Sequence, residues 1–190
     1  MASPSAANKR QHGVNDKNRR NVPTLVGGPL ATERVVHVAA GFIHNVVLTA
    51  AGRALACGYG GDGRLGLGDS KDRSSFTPMA TPAGARVVLA AAGVDHTLLS
   101  TGRGVLACGG NRAGQLGLGR GDRACRYTPT PVPALAGRRV TAVSVGGLVS
   151  FVLADSVVHS FGVGSRNGHG SEQDQTTPKA IAALAGVRMA

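Results

Sequence analysis

Short apolar runs separated by glycine turns predict an antiparallel β-sheet in this chain. The first group of runs comprises residues 35–40, 45–48 and 53–57. Apolar runs of this length, bounded by glycine, are typical of strands. We therefore predict three strands here and a fourth short strand around the Thr77-Pro78 pair.

A second group of runs repeats the first group further along the chain. Gly41-x-x-His44 includes the turn between the first two runs, and Gly93-x-x-His96 takes the same place 52 residues later. A period of about fifty residues is typical of propeller blades and solenoid turns. The strands predicted from the second group are residues 87–92, 97–99 and 105–108.

A glycine-rich motif closes both groups. CGYGGDGRLGLG at residues 57–68 returns as CGGNRAGQLGLG at residues 108–119. Each copy reaches a Thr-Pro pair ten residues after its last glycine, at 77–78 and 128–129. Glycine-rich composition alone does not maintain such a register, so the chain is a repeat protein.

A third copy is degraded, and both ends of the chain carry parts of further copies. Val149 stands at the histidine position of the third copy, whose strands are predicted at 140–145, 150–153 and 158–161. Gly13 precedes Pro23 by the same ten residues, which indicates the second half of an earlier repeat. The predicted organisation is a flexible leader (1–10), the second half of a degenerate repeat (11–34), two repeats (35–84 and 85–139), a degenerate repeat (140–186) and the start of a truncated repeat (187–190).

These landmarks resemble the regulator of chromosome condensation repeat family. Its blades carry Gly-x-x-His, an aromatic-Gly pair, Gly-Gln-Leu-Gly-Leu-Gly and a Thr-Pro segment, and residues 114–119 match that tail letter for letter. The resemblance implies an all-β fold, a partial β-propeller of about three four-stranded blades plus partial blades at both ends. The family's ring has seven blades, so this chain represents about half a ring. It is either a fragment or an open arc with exposed strand edges.

The chain departs from the family pattern where the family has Trp before the glycine. Cys57, Cys108 and Phe161 stand there, and the chain has no Trp at all. Loss of a large ring removes core volume, which predicts loosely packed blades. The absence of Trp also excludes light sensing through a Trp cluster, which resemblance to the plant ultraviolet-B receptor would imply.

Charge and cysteine content limit the partners and the compartment. The 21 Lys and Arg residues outnumber 10 acidic ones, for a net charge of +11, which favours acidic partners such as nucleic acid. Three cysteines without a C-x-x-C pair, and an N-terminus without an apolar run, predict an intracellular protein, nuclear or cytoplasmic. No run is long enough to span a membrane, so no membrane partner is predicted.

Two basic clusters are candidate contacts for phosphate or an acidic partner. The first resembles a split nuclear-import signal, although a solvated loop is the favoured explanation. The second lies after the glycine motif, where its only acid is Asp122, and could bind phosphates without reading bases. The candidates are Lys9, Arg10, Lys17, Arg19 and Arg20 in the first cluster and Arg112, Arg120, Arg123 and Arg126 in the second.

Repeated residues favour structural roles over catalytic ones. Gly58-x-Gly60-x-x-Gly63 matches the dinucleotide fingerprint as a string, but neither a helical pattern nor a suitably spaced acid follows, which favours a tight loop. A histidine repeated in each copy predicts a structural hydrogen bond, because catalysis requires one site with distinct partners. The predicted structural repeat positions are Gly41, His44, Gly58, Gly66, Gly68, Gly93, His96, Gly109, Gly117 and Gly119.

The three cysteines divide into two kinds. Cys57 and Cys108 are equivalent and lie in predicted strands, which favours a role as small buried apolar groups. Cys125 lies between Arg123 and Arg126 in a loop, where cations could favour a reactive thiolate.

No active site can be identified from the sequence, and neither a cofactor nor a metal is expected. We therefore predict a non-enzymatic protein-interaction module that binds partners through propeller loops. Family resemblance implies an alternative, guanine-nucleotide exchange on a Ran-like small GTPase, with a basic surface that associates with chromatin or DNA. Under either hypothesis the missing blades belong to the same native chain or come from a partner.

Overall fold

The described residues form three four-stranded antiparallel sheets, here called blades 1 to 3. The computed structural model describes residues 13–14, 22, 24–119 and 121–184. Blade 1 comprises β1 (Val35–Ala40), β2 (His44–Thr49), β3 (Ala54–Gly58) and β4 (Arg73–Pro78). Blade 2 comprises β5 (Leu89–Ala92), β6 (His96–Ser100), β7 (Val105–Gly109) and β8 (Arg126–Pro131). Blade 3 comprises β9 (Val140–Gly146), β10 (Val149–Ala154), β11 (Val157–Gly162) and β12 (Gln175–Ala180).

Each blade is a simple meander in which strands pair in chain order. The predicted strands, including the fourth strand, are confirmed. The described residues contain no α-helix. Short 3₁₀ helices occur at Gly28–Leu30, Gly61–Gly63, Pro133–Leu135, Gly164–Arg166 and Ala182–Leu184. The all-β prediction therefore holds for the described residues.

The two Thr-Pro pairs that recur at the same interval do not take equivalent places in the fourth strands. Pro78 pairs with Leu55, and its equivalent opposite Leu106 is Pro131 rather than Pro129. Backbone hydrogen bonds to the third strand determine this register, whereas the exposed loop before β8 absorbs two extra residues. Counting from the last glycine treated the two loops as equal in length.

Side chains packed between neighbouring blades form the core. One cluster between blades 1 and 2 includes Leu48, Leu99 and Cys108, and another between blades 2 and 3 includes Leu116 and Phe161. The position of the missing ring in blade 2 is closely packed, because Cys108 is fully buried. Gly66 lies in the glycine-rich motif of blade 1, and a Cβ built on it would lie 3.0 Å from the Cys108 Sγ. The prediction of loose packing is wrong at this position.

The described N-terminal residues lie against the outer part of blade 1. Val14 forms a β-bridge with Ser75. A Cβ built on Gly13 would lie 2.5 Å from the Phe76 ring and 3.4 Å from the Cys57 Sγ. Gly66 takes the same place relative to Cys108 and Pro129 in blade 2. Gly13 thus corresponds to Gly66, two residues from the register that the interval to Pro23 predicts.

The face of blade 1 that points away from blade 2 is apolar and partly open. Val26 and Leu30 pack against its buried residues Leu55 and Phe76, and a groove of about 440 Å³ lies beside them. Val38 on this face is 70% exposed.

Candidate functional site

The Gly-x-x-His motif forms a tight connection between the first two strands of a blade. The Gly41 N–H donates to the His44 carbonyl at 2.8 Å, and Gly93 makes the same bond to His96 at 2.8 Å. A Cβ on either glycine would lie 2.9 Å from the Nδ1 of its histidine. The motif requires glycine because the imidazole folds back over that residue.

Both histidines link one blade to the next. His44 Nε2 lies 2.9 Å from the Thr97 Oγ1, and His96 Nε2 lies 2.9 Å from the Ser150 Oγ. Thr97 in turn donates to the Arg64 carbonyl at 2.8 Å. Ser150 donates at 2.7 Å to the carbonyl of the residue that takes the place of Arg64 in the next repeat. Because a carbonyl only accepts, each hydroxyl donates to it and each histidine donates through Nε2. We call this chain of histidine, hydroxyl and carbonyl the interblade latch.

Sequence reasoning missed the partners of the histidines. Thr97 directly follows His96, and Ser150 directly follows Val149, the residue at the histidine position of blade 3. The available signal was a hydroxyl residue after the histidine position, and it becomes informative only when the neighbouring blade is known.

The latch holds its first histidine neutral. Burial, together with the nearby Arg64 and His96, lowers the pKa of His44 to about 3. Among the described residues the His44 Nδ1 has no hydrogen-bond partner. The imidazole of His44 is therefore neutral near pH 7, fully buried and in contact with the neighbouring blade.

The second latch includes a carboxylate. His96 Nδ1 lies 3.4 Å from the Asp95 Oδ1, and Gln115 donates to both Asp95 oxygens at 3.2 Å. Burial raises the pKa of Asp95, but the hydrogen bonds from His96 and Gln115 outweigh it and hold the pKa below its usual value. The Asp95 carboxylate thereby links the turn before β6, through Gln115, to the glycine-rich loop of the same blade.

Arg64 fills the glycine loop that matches a dinucleotide fingerprint. Its side chain is buried and donates to the carbonyls of Gly61 at 2.7 Å and Val94 at 2.6 Å. The guanidinium also lies 3.1 Å from the Asp62 Oδ2 and 4.9 Å from the centre of the Tyr59 ring. This loop therefore joins blade 1 to blade 2 around a buried side chain, and no helix follows it.

The second predicted basic cluster meets acids that the sequence does not place beside it. Arg123 pairs with Asp174 of blade 3 at 2.9 Å, and Arg126 pairs with Asp122. Arg112 is exposed, and its carbonyl accepts from Arg123. The remaining candidates lie outside the described residues: Lys9, Arg10, Lys17, Arg19, Arg20 and Arg120.

The same cancellation of charge holds for the whole end of the blades that carries these loops. We call it the loop end; it comprises the β1–β2 and β3–β4 connections and their equivalents, up to the first residue of each fourth strand. Among the described residues, seven cations and seven carboxylates stand there. The described loop end therefore has no net charge.

The cysteines differ in accessibility as their positions predict. Burial raises the pKa of Cys57 and of Cys108 to about 12. Cys125 is only partly buried, and its Sγ lies 3.9 Å from the Asp62 Oδ1. A carboxylate thus lies beside this thiol in addition to the neighbouring arginines.

Only Cys125 is expected to react with a thiol reagent in the folded protein. Thiolate is the nucleophile, and burial suppresses it at the other two positions. Iodoacetamide at neutral pH, read by mass spectrometry, should label one thiol in the native protein and three in denaturant. Cys125→Ser should abolish native labelling, whereas comparable labelling of Cys108 would contradict the burial described above.

Metal-ligand clusters and membrane-spanning helices are both absent from the described residues. They contain no group of three or more His, Cys, Asp or Glu side chains that could hold a metal ion. None of their helices is long and apolar enough to cross a membrane.

Comparison with known proteins identifies the family. The sequence model of the regulator of chromosome condensation (RCC1) repeat matches residues 51–100 and 104–153. The ultraviolet-B receptor UVR8 of Arabidopsis thaliana is 32% identical over 161 residues, which cover 82% of this chain and 36% of the receptor. The secretion-regulating guanine nucleotide exchange factor of Bos taurus is 36% identical over 104 residues, which cover 54% of this chain and 22% of that protein.

A solved propeller shares the fold. Prp20p of Saccharomyces cerevisiae, whose binding to Gsp1p and histones has been characterised, superposes with a TM-score of 0.73 at 22% identity, over 90% of this chain and 44% of its own. This chain thus spans less than half of each of these proteins. The predicted partial β-propeller is confirmed, and the chain belongs to the regulator of chromosome condensation (RCC1) repeat family.

Proposed function

We propose that this chain is a protein-interaction module whose loops are presented by a rigid stack of blades. The observation that carries the proposal is the interblade latch. It encloses the histidines that would be the natural catalytic candidates. What remains exposed is the set of loops and turns, and repeat arrays of this kind recognise partners through such surfaces.

The loop end provides apolar anchors for a protein partner. Phe42 is 65% exposed and Val94 is 38% exposed, and Tyr127, the residue that directly follows the loop end in β8, is 45% exposed. The Phe42 N–H donates to the Gly93 carbonyl at 3.0 Å, so the backbone that carries its ring is held. Exposed aromatic residues on a rigid backbone are typical of the residues that dominate binding energy at interfaces.

A photo-crosslinking amino acid in place of Phe42 tests the module directly. Cross-linked proteins are identified by mass spectrometry, and the purified partner is then titrated against the wild-type chain and Phe42→Ala. We expect about tenfold weaker binding of the variant, because truncation of an interface aromatic typically costs over 1 kcal/mol. A crosslinker at exposed Thr177, in the middle of β12, serves as the control. Equal cross-linking at both positions would contradict a specific loop-end contact.

Nucleotide exchange on a Ran-like small GTPase is the second candidate function. Similarity to a protein named as an exchange factor favours it, and Prp20p has characterised binding to Gsp1p and histones. Release of labelled GDP from a Ran-like GTPase, measured with and without the chain, distinguishes the two functions. A plain interaction module leaves the rate of GDP release unchanged. An exchange factor accelerates that release severalfold even at a substoichiometric concentration.

The repeat boundaries and the location belong to the same proposal. The contact of Gly13 with Phe76 supports assignment of residues 11–34 to a preceding repeat. The three cysteines form no disulfide, which supports an intracellular location, nuclear or cytoplasmic. A basic surface that contacts nucleic acid without sequence preference stays a candidate for the two predicted clusters.

A further inference from the structure

The positive charge of the described blades is concentrated at the end opposite the loop end. We call this the turn end; it comprises the β2–β3 turns with their equivalents and the links that precede each blade, residues 33–34, 49–53, 79–88, 101–104, 132–139 and 155–156. Because each blade is an antiparallel meander, these connections all leave the strands at the same end. The charged residues of the turn end are Arg34, Arg53, Arg86, Arg103, Arg138 and Arg139 against Glu33 and Asp155.

Arginines surround the first turn at this end. Arg86, from the link to blade 2, donates to the turn carbonyls of Ala50 at 2.8 Å and Ala51 at 3.2 Å. The Arg34 carbonyl accepts from the Ala50 N–H at 2.8 Å, which places Arg34 on the other side of the turn. Two of the five guanidinium donors of Arg86 are thus used to hold it in place, and its charge stays exposed.

The second turn repeats the arrangement. The Arg103 carbonyl accepts from Gly137 at 3.0 Å, and the adjacent Gly102 carbonyl accepts from Val140 at 3.0 Å. These bonds bring the link that carries Arg138 and Arg139 against the turn that carries Arg103. The first two turns of the stack are therefore each bordered by arginines from their own blade and from the neighbouring blade.

Part of this charge has no acidic partner. Arg53 pairs with Glu33, and Arg138 lies 3.7 Å from the Asp155 Oδ2. Within the described ranges, no ion pair neutralises the other four arginines, Arg34, Arg86, Arg103 and Arg139, and all four are exposed. The described turn end thus carries four arginines whose charge is not balanced by an ion pair. In the described loop end, by contrast, the positive and negative charges are equal in number.

We propose that the turn end binds an acidic segment of a protein partner. The guanidinium fork matches the two oxygens of a carboxylate. Exposed small apolar residues such as Ala51, Ala83 and Ala134 separate the arginines, and a segment that alternates acidic and apolar residues fits such a surface. Across the described turn end there is neither lysine nor an aromatic ring on which bases could stack, which disfavours single-stranded nucleic acid.

This inference rests on the proposed function, because the partner is taken to be a protein, and it adds the face and the chemistry. The probe is a fluorescein-labelled peptide in which glutamates alternate with alanines, followed by fluorescence anisotropy at low and at physiological ionic strength. The test variant combines Arg103→Ala with Arg139→Ala. The matched control combines Lys71→Ala with Arg166→Ala, which removes the same charge from exposed residues of the loop end.

The turn-end variant is expected to bind the peptide about tenfold more weakly than wild type, since two exposed ion pairs contribute about 1 to 2 kcal/mol together. The loop-end control should bind within twofold of wild type. Equal losses in both variants would reduce the effect to net charge and overturn the inference. Preference for a short DNA duplex over the peptide, with the same dependence on Arg103 and Arg139, would overturn it in favour of nucleic acid. Either failure leaves the Phe42 cross-linking result, and with it the proposed function, intact.

Discussion

Gly109→Ala is expected to lower the free energy of unfolding by about 4 kcal/mol, which combines backbone strain with a steric clash. Gly109 ends β7 with φ +111°, a conformation that residues with a Cβ rarely adopt. A Cβ there would also overlap the Asp95 carbonyl oxygen and lie 2.6 Å from the His96 Cα. Both atoms are backbone of the Gly-x-x-His connection, so they cannot rotate away, and relief of the clash would disturb the latch.

Gly119→Ala is the matched control for that variant. Gly119 has φ +119°, but a Cβ there would meet nothing within 4 Å. Its cost is therefore backbone strain alone, about 1 to 2 kcal/mol. Urea denaturation followed by far-ultraviolet circular dichroism measures both, since the chain has no Trp to report by fluorescence. Equal losses in the two variants would show that the blade yields around Gly109, contrary to the packing described here.

Acidification is expected to destabilise the fold through His44. The pKa of His44 is about 3 in the folded chain, whereas an unperturbed histidine of the unfolded chain has a pKa of 6.5. Between these values the unfolded state binds the extra proton, so stability falls as pH falls, by about 1 kcal/mol per pH unit. The loss begins as pH drops below 6.5 and totals about 4 kcal/mol near pH 3; above pH 6.5 this group contributes no slope.

His44→Gln isolates this contribution. The amide can donate to the Thr97 Oγ1 but does not titrate, so the variant should lose most of one proton from the slope between pH 6.5 and pH 4. Thr97→Ser keeps the hydroxyl and should keep the slope. Burial lowers the pKa values of His159 and His169 as well, so the measurement is the difference between variants. An unchanged slope in His44→Gln would assign the proton uptake to those residues.

Local patterns predicted most of the fold because the fold repeats. The Gly-x-x-His spacing and the Gly-x-Leu-Gly-Leu-Gly tail recur because each blade must make the same close contacts, so a single chain contains its own comparison. Strand positions followed from short apolar runs and were right to within one or two residues. The Thr-Pro pairs that recur at the same interval stand two residues apart in β4 and β8, because hydrogen bonds across the sheet set the position of the strand and loop length does not.

Charge and hydrogen-bond partners required the tertiary structure. Residues 112–126 read as a basic cluster along the chain, yet Asp174 reaches Arg123 from the next blade, and the charges of the described loop-end residues cancel. The arginines of the turn end lie in separate links and turns, and they form one surface only because antiparallel strands return to the same end of each blade.

The amino-acid sequence by itself determined the repeat, its period, the strands, the family and the residues that recur, because each depends on neighbours along the chain or on self-similarity. Only the tertiary structure decided that His44 donates to Thr97, that Cys108 is closely packed where a ring is missing, and which end of the blades carries the charge. Those features depend on contacts between blades, where the two partners stand about fifty residues apart and their spacing carries no local signal.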